Sequence, residues 1–205
     1  MSKLGKSKLF KKTAEVGKDL ERVIEILKAG GIAIIPSDTV FIPACRIDKI
    51  DAIRKLYKIK KRPKNQPTLV LVNSISMAKK YVKITKSANE LIKKFWPGPL
   101  TIIFTAKNSV PKNIQGKGGT LGVRYPNYSF ILKIIKKVGV PILAPSANFK
   151  GKPPPKKFAD LDEEFIKRVD YVFEGKCKIG QESTVVDATV IPPKVIREGA
   201  VKLNL

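Results

Sequence analysis

Five short segments of the 205-residue chain gather hydroxyl-bearing, small or basic side chains where a strand or helix should end. The first is Pro36-Ser37-Asp38-Thr39, directly after an apolar run. Its residue types suit a helix cap or an Asx turn as well as a ligand. The second is Lys58-Ile59-Lys60-Lys61-Arg62-Pro63-Lys64. Cations at a helix C-terminus are favoured by the macrodipole, but Pro63 also puts Lys60 and Arg62 at an element boundary, where ligand sites commonly form. The third, Gly116-Lys117-Gly118-Gly119-Thr120 leading to Arg124, matches neither GxxxxGK[ST] nor GxGxxG, so both phosphate-loop motifs are excluded. Its glycines still allow backbone N–H groups to approach an anion. The fourth is Ala144-Pro145-Ser146-Ala147-Asn148, either a structural turn or a set of ligand donors. The fifth is Glu182-Ser183-Thr184, with Arg197-Glu198-Gly199 further along. Groups of these types can hydrogen-bond or pair with phosphate and carboxylate oxygens.

The chain has no histidine, which excludes His-dependent triads, HExxH zinc sites and histidine bases. Cys45 and Cys177 stand alone, without metal-ligand spacing, and a reducing, cytoplasmic setting is the expectation. No apolar run approaches the ~20 residues of a membrane span. No continuous hydrophobic region follows the basic N-terminus, so no secretory signal is read there. The 41 Lys+Arg exceed the 17 Asp+Glu, for a formal net charge of +24. Between Ala52 and Ala159 there are 24 basic residues and a single acid, Glu90; the rest of the chain is nearly neutral. Such a single-sign field concentrates anions, whether nucleic acid, nucleotide or polyphosphate. Lysine used merely as a surface residue is the plainer reading of many of these positions. It leaves the missing acids unexplained, because solvated faces normally mix signs.

The elements that must hold these segments alternate along the chain. Residues 1–12 form a basic arm, and 13–205 are expected to form one domain. Leu20, Val23, Ile24 and Leu27 follow helical spacing and stop at Gly30-Gly31. Ile32 to Ile35 is a buried strand. Helices are predicted around Ile50–Tyr57, Ala88–Phe95, Ile131–Val138 and Asp160–Arg168. Strands are predicted at Thr68–Val72, Leu100–Thr105, Leu121–Arg124, Pro141–Ala144, Asp170–Phe173, Thr184–Thr189 and Val195–Arg197. The fold class is α/β, with a twisted, mixed to parallel sheet and flanking helices.

The ordered series Ile35-Pro36-Ser37-Asp38-Thr39-Val40, Lys60-Lys61-Arg62-Pro63, Trp96-Pro97-Gly98-Pro99-Leu100-Thr101, Gly122-Val123-Arg124-Tyr125-Pro126, Ala144-Pro145-Ser146-Ala147-Asn148, Ser183-Thr184-Val185-Val186-Asp187 and Arg197-Glu198-Gly199-Ala200 resembles the YrdC-like family, over roughly Val16 to Val201. The resemblance implies a sheet with a concave basic face and a short, single-domain type. It also implies threonylcarbamoyl-AMP synthase activity, a nucleotidyl transfer. L-Threonine, bicarbonate and ATP would condense to threonylcarbamoyl-adenylate and pyrophosphate, for t6A modification of tRNA position 37.

Carried over by position, Lys60 and Arg62 match the family's KxR pair and are the catalytic candidates. They would bind ATP together with Thr120, Ser146, Asn148 and Arg197. Ser37, Arg124 and Ser183 would hold threonine, Arg124 by its carboxylate. Mg²⁺ would ride on the phosphates, with no protein metal site. A downstream tRNA threonylcarbamoyl transferase would take the product, and contact with tRNA or double-stranded RNA is a further expectation. Three of only seven arginines, Arg62, Arg124 and Arg197, fall on these positions, where a planar fork binds oxyanions in a way lysine does not copy. The chain departs from the family's PT[DE]TVYGL pattern at Ser37 and at Phe41-Ile42-Pro43, which bears on the amino-acid pocket. Two other readings are a paralogue of this fold acting on another carbamoyl or small-molecule substrate, and an RNA-binding protein.

Overall fold

The computed structural model describes residues 14–61 and 68–203. The expected N-terminal arm and Arg62 lie outside the described residues. Eleven strands are formed: β1 (Glu15–Gly17), β2 (Ala33–Ile35), β3 (Ile42–Arg46), β4 (Leu69–Leu71), β5 (Val82–Lys83), β6 (Leu100–Ala106), β7 (Thr120–Arg124), β8 (Ile142–Leu143), β9 (Tyr171–Phe173), β10 (Thr184–Asp187) and β11 (Lys194–Arg197). The α-helices are α1 (Leu20–Lys28), α2 (Ile50–Ile59), α3 (Ile75–Tyr81), α4 (Lys86–Phe95), α5 (Ser129–Val138) and α6 (Glu163–Ile166). The helix ends follow local chemistry. Asp19, Ser74 and Thr85 accept hydrogen bonds from the first-turn N–H groups of α1, α3 and α4, and Gly139, at φ 82°, closes α5 in the left-handed conformation.

The strands run in the order β1-β9-β2-β3-β8-β4-β7-β6-β10-β11, with β5 added to the far half of β6. Four of the pairings are parallel (β1 with β9, β9 with β2, β4 with β7, β6 with β10) and six are antiparallel, so the sheet is mixed. Four elements escape a reading by periodicity. The strands β1 and β5 are three and two residues long, and α3 is seven. Strand β3 contains Pro43. That proline pairs with β2, while β8 takes only Cys45 and Arg46, so its missing N–H falls beyond the second ladder. The helix expected at Asp160–Arg168 is shorter, four residues capped by Asp162.

Two hydrophobic layers sandwich the first half of the sheet. On one side α2, α4 and Phe165 of α6 pack on Val70, Ile102, Phe104, Leu121, Val123 and Val186. On the other side α1 and α5 cover Ala33, Ile35, Ile42, Ala44, Leu71 and Ile142. The strand residues of this second layer stop at β4. Beyond it, β7, β6, β10 and β11 keep one face covered and turn the other outward. Strand alternation therefore puts Thr101, Ile103 and Thr105 of β6, and Thr120, Gly122 and Arg124 of β7, on an open face. The turn into β6 is pinned by Trp96, whose indole Nε1–H donates to the Leu100 carbonyl at 2.7 Å while its ring packs 6.0 Å from Phe104. Replacing Trp96 by Phe keeps a ring and removes the donor. The expected cost is about 1–3 kcal/mol for the buried carbonyl, read as a lower urea midpoint with unchanged slope.

Candidate active site

Two adjoining spaces lie on the open face. A hollow of about 20 Å³ is lined by Thr39, Val40, Ile42, Leu69, Arg124, Ala144, Ser146, Glu182, Ser183 and Arg197. A cleft of about 240 Å³ shares Leu69, Ser146, Glu182 and Arg197 with it and runs over Thr101, Ile103, Gly122, Val185 and Ile196. The hollow holds about one water molecule or the head of a carboxylate, and the cleft has room for the body of a ligand.

Arg124 closes the floor of the hollow. It ends β7 on the same face as Gly122, as the β period requires, and the loops around the hollow leave it 1% exposed. Its Nη1 donates to Thr39 Oγ1 at 2.8 Å, and its Nη2 stands 3.3 Å from Asp38 Oδ1. Burial pulls the guanidinium below its ordinary pKa; Asp38 raises it and Arg197 lowers it further. The Ser37–Val40 loop that supplies these partners is self-contained. Ser37 Oγ accepts from the Thr39 and Val40 N–H groups at 3.0 and 3.1 Å and donates to the Val40 carbonyl at 2.6 Å. Its hydroxyl is thereby used inside the turn; Thr39, whose Oγ1 also lies 2.9 Å from Ser37 Oγ, is the hydroxyl residue of the turn that lines the hollow.

On the opposite wall, Ser183 Oγ lies 2.8 Å from Thr101 Oγ1 and accepts from Arg197 Nη2 at 3.3 Å. Arg197 also donates through Nε and Nη2 to the Ser183 carbonyl, and through Nη1 to Glu182 Oε1 at 2.8 Å. Gly199 lets this wall close, because a Cβ there would stand 2.5 Å from the Glu182 carbonyl oxygen and 2.6 Å from Thr184 N. The third wall is the Ser146–Asn148 loop. Lys60, buried at 7% exposure, donates from Nζ to the carbonyls of Ser146 (2.5 Å) and Asn148 (2.7 Å) and to Asn148 Oδ1 (3.2 Å). Ser146 Oγ donates to the same Asn148 oxygen at 2.6 Å, and Asn148 Nδ2 donates to the Lys152 carbonyl.

Of the residues singled out in the sequence, Ser146, Arg197, Ser183 and Arg124 therefore line the spaces, with Ser37, Lys60 and Asn148 holding the loops around them. Thr120 lies on the same face of β7 as Arg124 but outside both linings, about 13 Å along the strand. Thr39, Asp38, Glu182, Thr101, Leu69 and Gly122 belong to the site and were not singled out as ligands. Thr39, Asp38 and Glu182 sit inside flagged segments, and Thr101 and Gly122 inside the series that carries the family resemblance; Leu69 follows only from strand register. The departure at Phe41-Ile42-Pro43 divides. Phe41 is fully buried against Phe158, ring centroids 6.3 Å apart, and lines neither space, whereas Ile42 forms part of the hollow's wall.

A family model described as "Telomere recombination", the Sua5/YciO/YrdC model, matches residues 25–199. The chain belongs to the Sua5/YciO/YrdC family. Among its relatives, a threonylcarbamoyl-AMP synthase of Pyrococcus abyssi is 34% identical over 181 residues, covering 87% of this chain and 53% of the relative. A putative threonylcarbamoyl-AMP synthase of Methanocaldococcus jannaschii is 34% identical over 204 residues, covering 97% of this chain and 96% of the relative. This chain thus spans about half the length of the P. abyssi protein. A crystal structure of P. abyssi Sua5 complexed with L-threonine superposes with a TM-score of 0.83 at 31% identity, over 91% of this chain and 57% of that one. As in its family, the fold here is α/β.

The Gly199 contact gives a direct test of how the wall is held. Gly199→Ala must push β11 away from Glu182 and Ser183, at about 1–3 kcal/mol. Denaturant unfolding should show that loss, and calorimetric titration with ATP should show weaker binding than for the unaltered protein.

Proposed function

We propose that this chain is a threonylcarbamoyl-AMP synthase. The observation that carries the reading is the convergence of two buried or half-buried arginines and three hydroxyls on a carboxylate-sized hollow that opens into a larger, apolar-floored cleft. Arg124 takes the threonine carboxylate, and Thr39 and Ser183 present hydroxyls beside it. ATP lies over the cleft, its flat base over Gly122, the floor position without a side chain. Ser146 and Arg197 meet its phosphates at the junction of the two spaces. Arg62, outside the described residues, follows the same strand-bound segment by sequence and is assigned to the phosphates. Lys60 serves by fixing the two carbonyls of the Ser146–Asn148 loop, and Asn148 by holding Ser146.

The reaction then needs little covalent help from the protein. The threonine amine attacks bicarbonate carbon, water leaves, and a carbamate forms. A carbamate oxygen attacks the α-phosphorus of ATP, and the bond to pyrophosphate breaks. Charge on the transferring phosphoryl group is met by positioned cations and donors, which is the main catalytic contribution in phosphoryl and nucleotidyl transfer. Among the described residues no three Asp, Glu, Cys or His side chains gather, and the carboxylate of Glu182 is taken by Arg197. The site does not offer a ligand set for Mg²⁺, and no step here runs through one. No helix among the described residues is long and apolar enough to cross a membrane. The product is an activated carbamate, whose consumer is a transferase acting on tRNA.

Pyrophosphate should appear only when ATP, L-threonine and bicarbonate are all supplied. Release with a different amino acid and none with threonine would overturn the assignment. Gly122→Val tests the seat of the base. An added Cβ meets Thr101 Cγ2 at 3.4 Å and Leu69 Cβ at 3.6 Å, ordinary contacts, so the strand should tolerate it. The valine methyls then fill the cleft. ATP affinity should fall about tenfold or more with the unfolding midpoint little changed; unaltered ATP binding would move the base elsewhere.

A further inference from the structure

Asp38 is the least expected group in the site. Its carboxylate is 1% exposed and carries no hydrogen bond on either oxygen. Its ion pair with Arg124, at 3.3 Å, is one of charge without hydrogen-bond alignment, and Arg124 Nε is likewise buried without a partner. Backbone bonds hold the carboxylate in place. The Ile179 N–H donates to the Asp38 carbonyl and the Gly180 N–H to the Thr39 carbonyl, each at 2.9 Å, so residues 179–180 strap the loop down. Asp38 is not part of the hollow's lining, yet it shares Arg124 with it.

Among the described residues, the charges that line the hollow and their ion-pair partners cancel. Arg124 is matched by Asp38, and Arg197 by Glu182 at 2.8 Å. Lys60 lines neither space and directs its ammonium at the Ser146–Asn148 loop. A plain carboxylate entering beside Arg124 would give one buried guanidinium two anions to answer, leaving a negative charge unmatched where water is scarce. A zwitterion adds no net charge, and its ammonium answers the second anion.

We propose that Asp38 makes the site selective for zwitterionic α-amino acids over carboxylic acids that lack the amine. This rests on the proposed amino-acid role of the hollow and adds a residue that sets its charge. Asp38 acts through Arg124, as a positioning and selectivity residue. A carboxylate held there by charge alone, with no hydrogen bond on either oxygen among the described residues, forms a fixed negative background, which a neutral asparagine would not supply.

The test compares L-threonine with 2,3-dihydroxybutanoate, in which a hydroxyl replaces the ammonium, by calorimetric titration of the whole protein. The unaltered protein should bind the amino acid at least about tenfold more tightly. Asp38→Asn should erase most of that ratio by gaining affinity for the hydroxy acid, and Asp38→Glu should retain it. Equal binding of both ligands by the unaltered protein overturns the proposal without any variant. An unchanged ratio in Asp38→Asn, or an equal loss for both ligands, also overturns it, since a structural role alone would weaken both. Alanine with lactate and serine with glycerate, run alongside, separate the two readings. If threonine fails but another amino acid binds and shows the ratio, the threonine assignment falls and the role of Asp38 stands. Binding of none of the three amino acids overturns both.

Discussion

A guanidinium at 1% exposure is the constraint around which this molecule is arranged. An arginine in that position is costly unless its charge and donors are answered. The answers come from one distant stretch of chain, the Ser37–Thr39 turn, whose Thr39 hydroxyl accepts from Nη1 and whose Asp38 carboxylate pairs with Nη2. The Glu182–Ser183 wall stands across the hollow and holds the second arginine, Arg197. The turn needs its own internal hydrogen bonds to hold Asp38 and Thr39 in place, and the wall needs Gly199 in order to close. The bare sheet face beside Arg124 is the other half of the same arrangement. If α1 and α5 extended over β7 and β6, the charge would be sealed in with no route for a ligand.

Much of this was legible in the sequence, because buried strands and amphipathic helices announce themselves by period. The strands at Leu100–Thr105 and Leu121–Arg124 and the helix at Ile131–Val138 are where the apolar spacing puts them. What periodicity misses is short or irregular. Strand β3 hides behind Pro43, and β1 owes its existence to β9, across more than 150 residues of chain. The site shows the same division. Segments rich in Ser, Asn and Arg flagged loops that the fold brings together around the two spaces, but which side chain of a loop faces a space depends on which way each one turns. Ser37 has the hydroxyl that composition favours, yet the turn uses it, and Thr39 faces the hollow. Leu69 joins Gly122 and Thr101 in the cleft through register between strands, which no local pattern encodes.

The formal charge of +24 takes on a more specific meaning beside this geometry. The hollow itself is close to neutral among the described residues, two arginines against two carboxylates, with the Lys60 ammonium turned to the Ser146–Asn148 loop. The excess belongs to lysines on the outer helices, such as Lys79, Lys80, Lys93 and Lys94, which are exposed. They raise the concentration of anions near the protein without discriminating among them, whereas the hollow discriminates by balance and shape. Attraction and selection are thus separated in space.

The wall that Arg197 and Gly199 complete has a consequence for synthesis of the chain. Thr184 Oγ1 donates to the Val201 carbonyl and accepts from the Val201 N–H, so the stretch from Arg197 to Val201 is fastened onto β10 and is synthesised after the other walls of the hollow. Thr39 has by then waited for more than 150 further residues to be added. A ribosome-bound chain that has not delivered Val201 can hold most of the sheet and still lack one side of the hollow. The hollow in this architecture joins residues more than 140 positions apart, and a fragment that stops short of Arg197 lacks one of its walls.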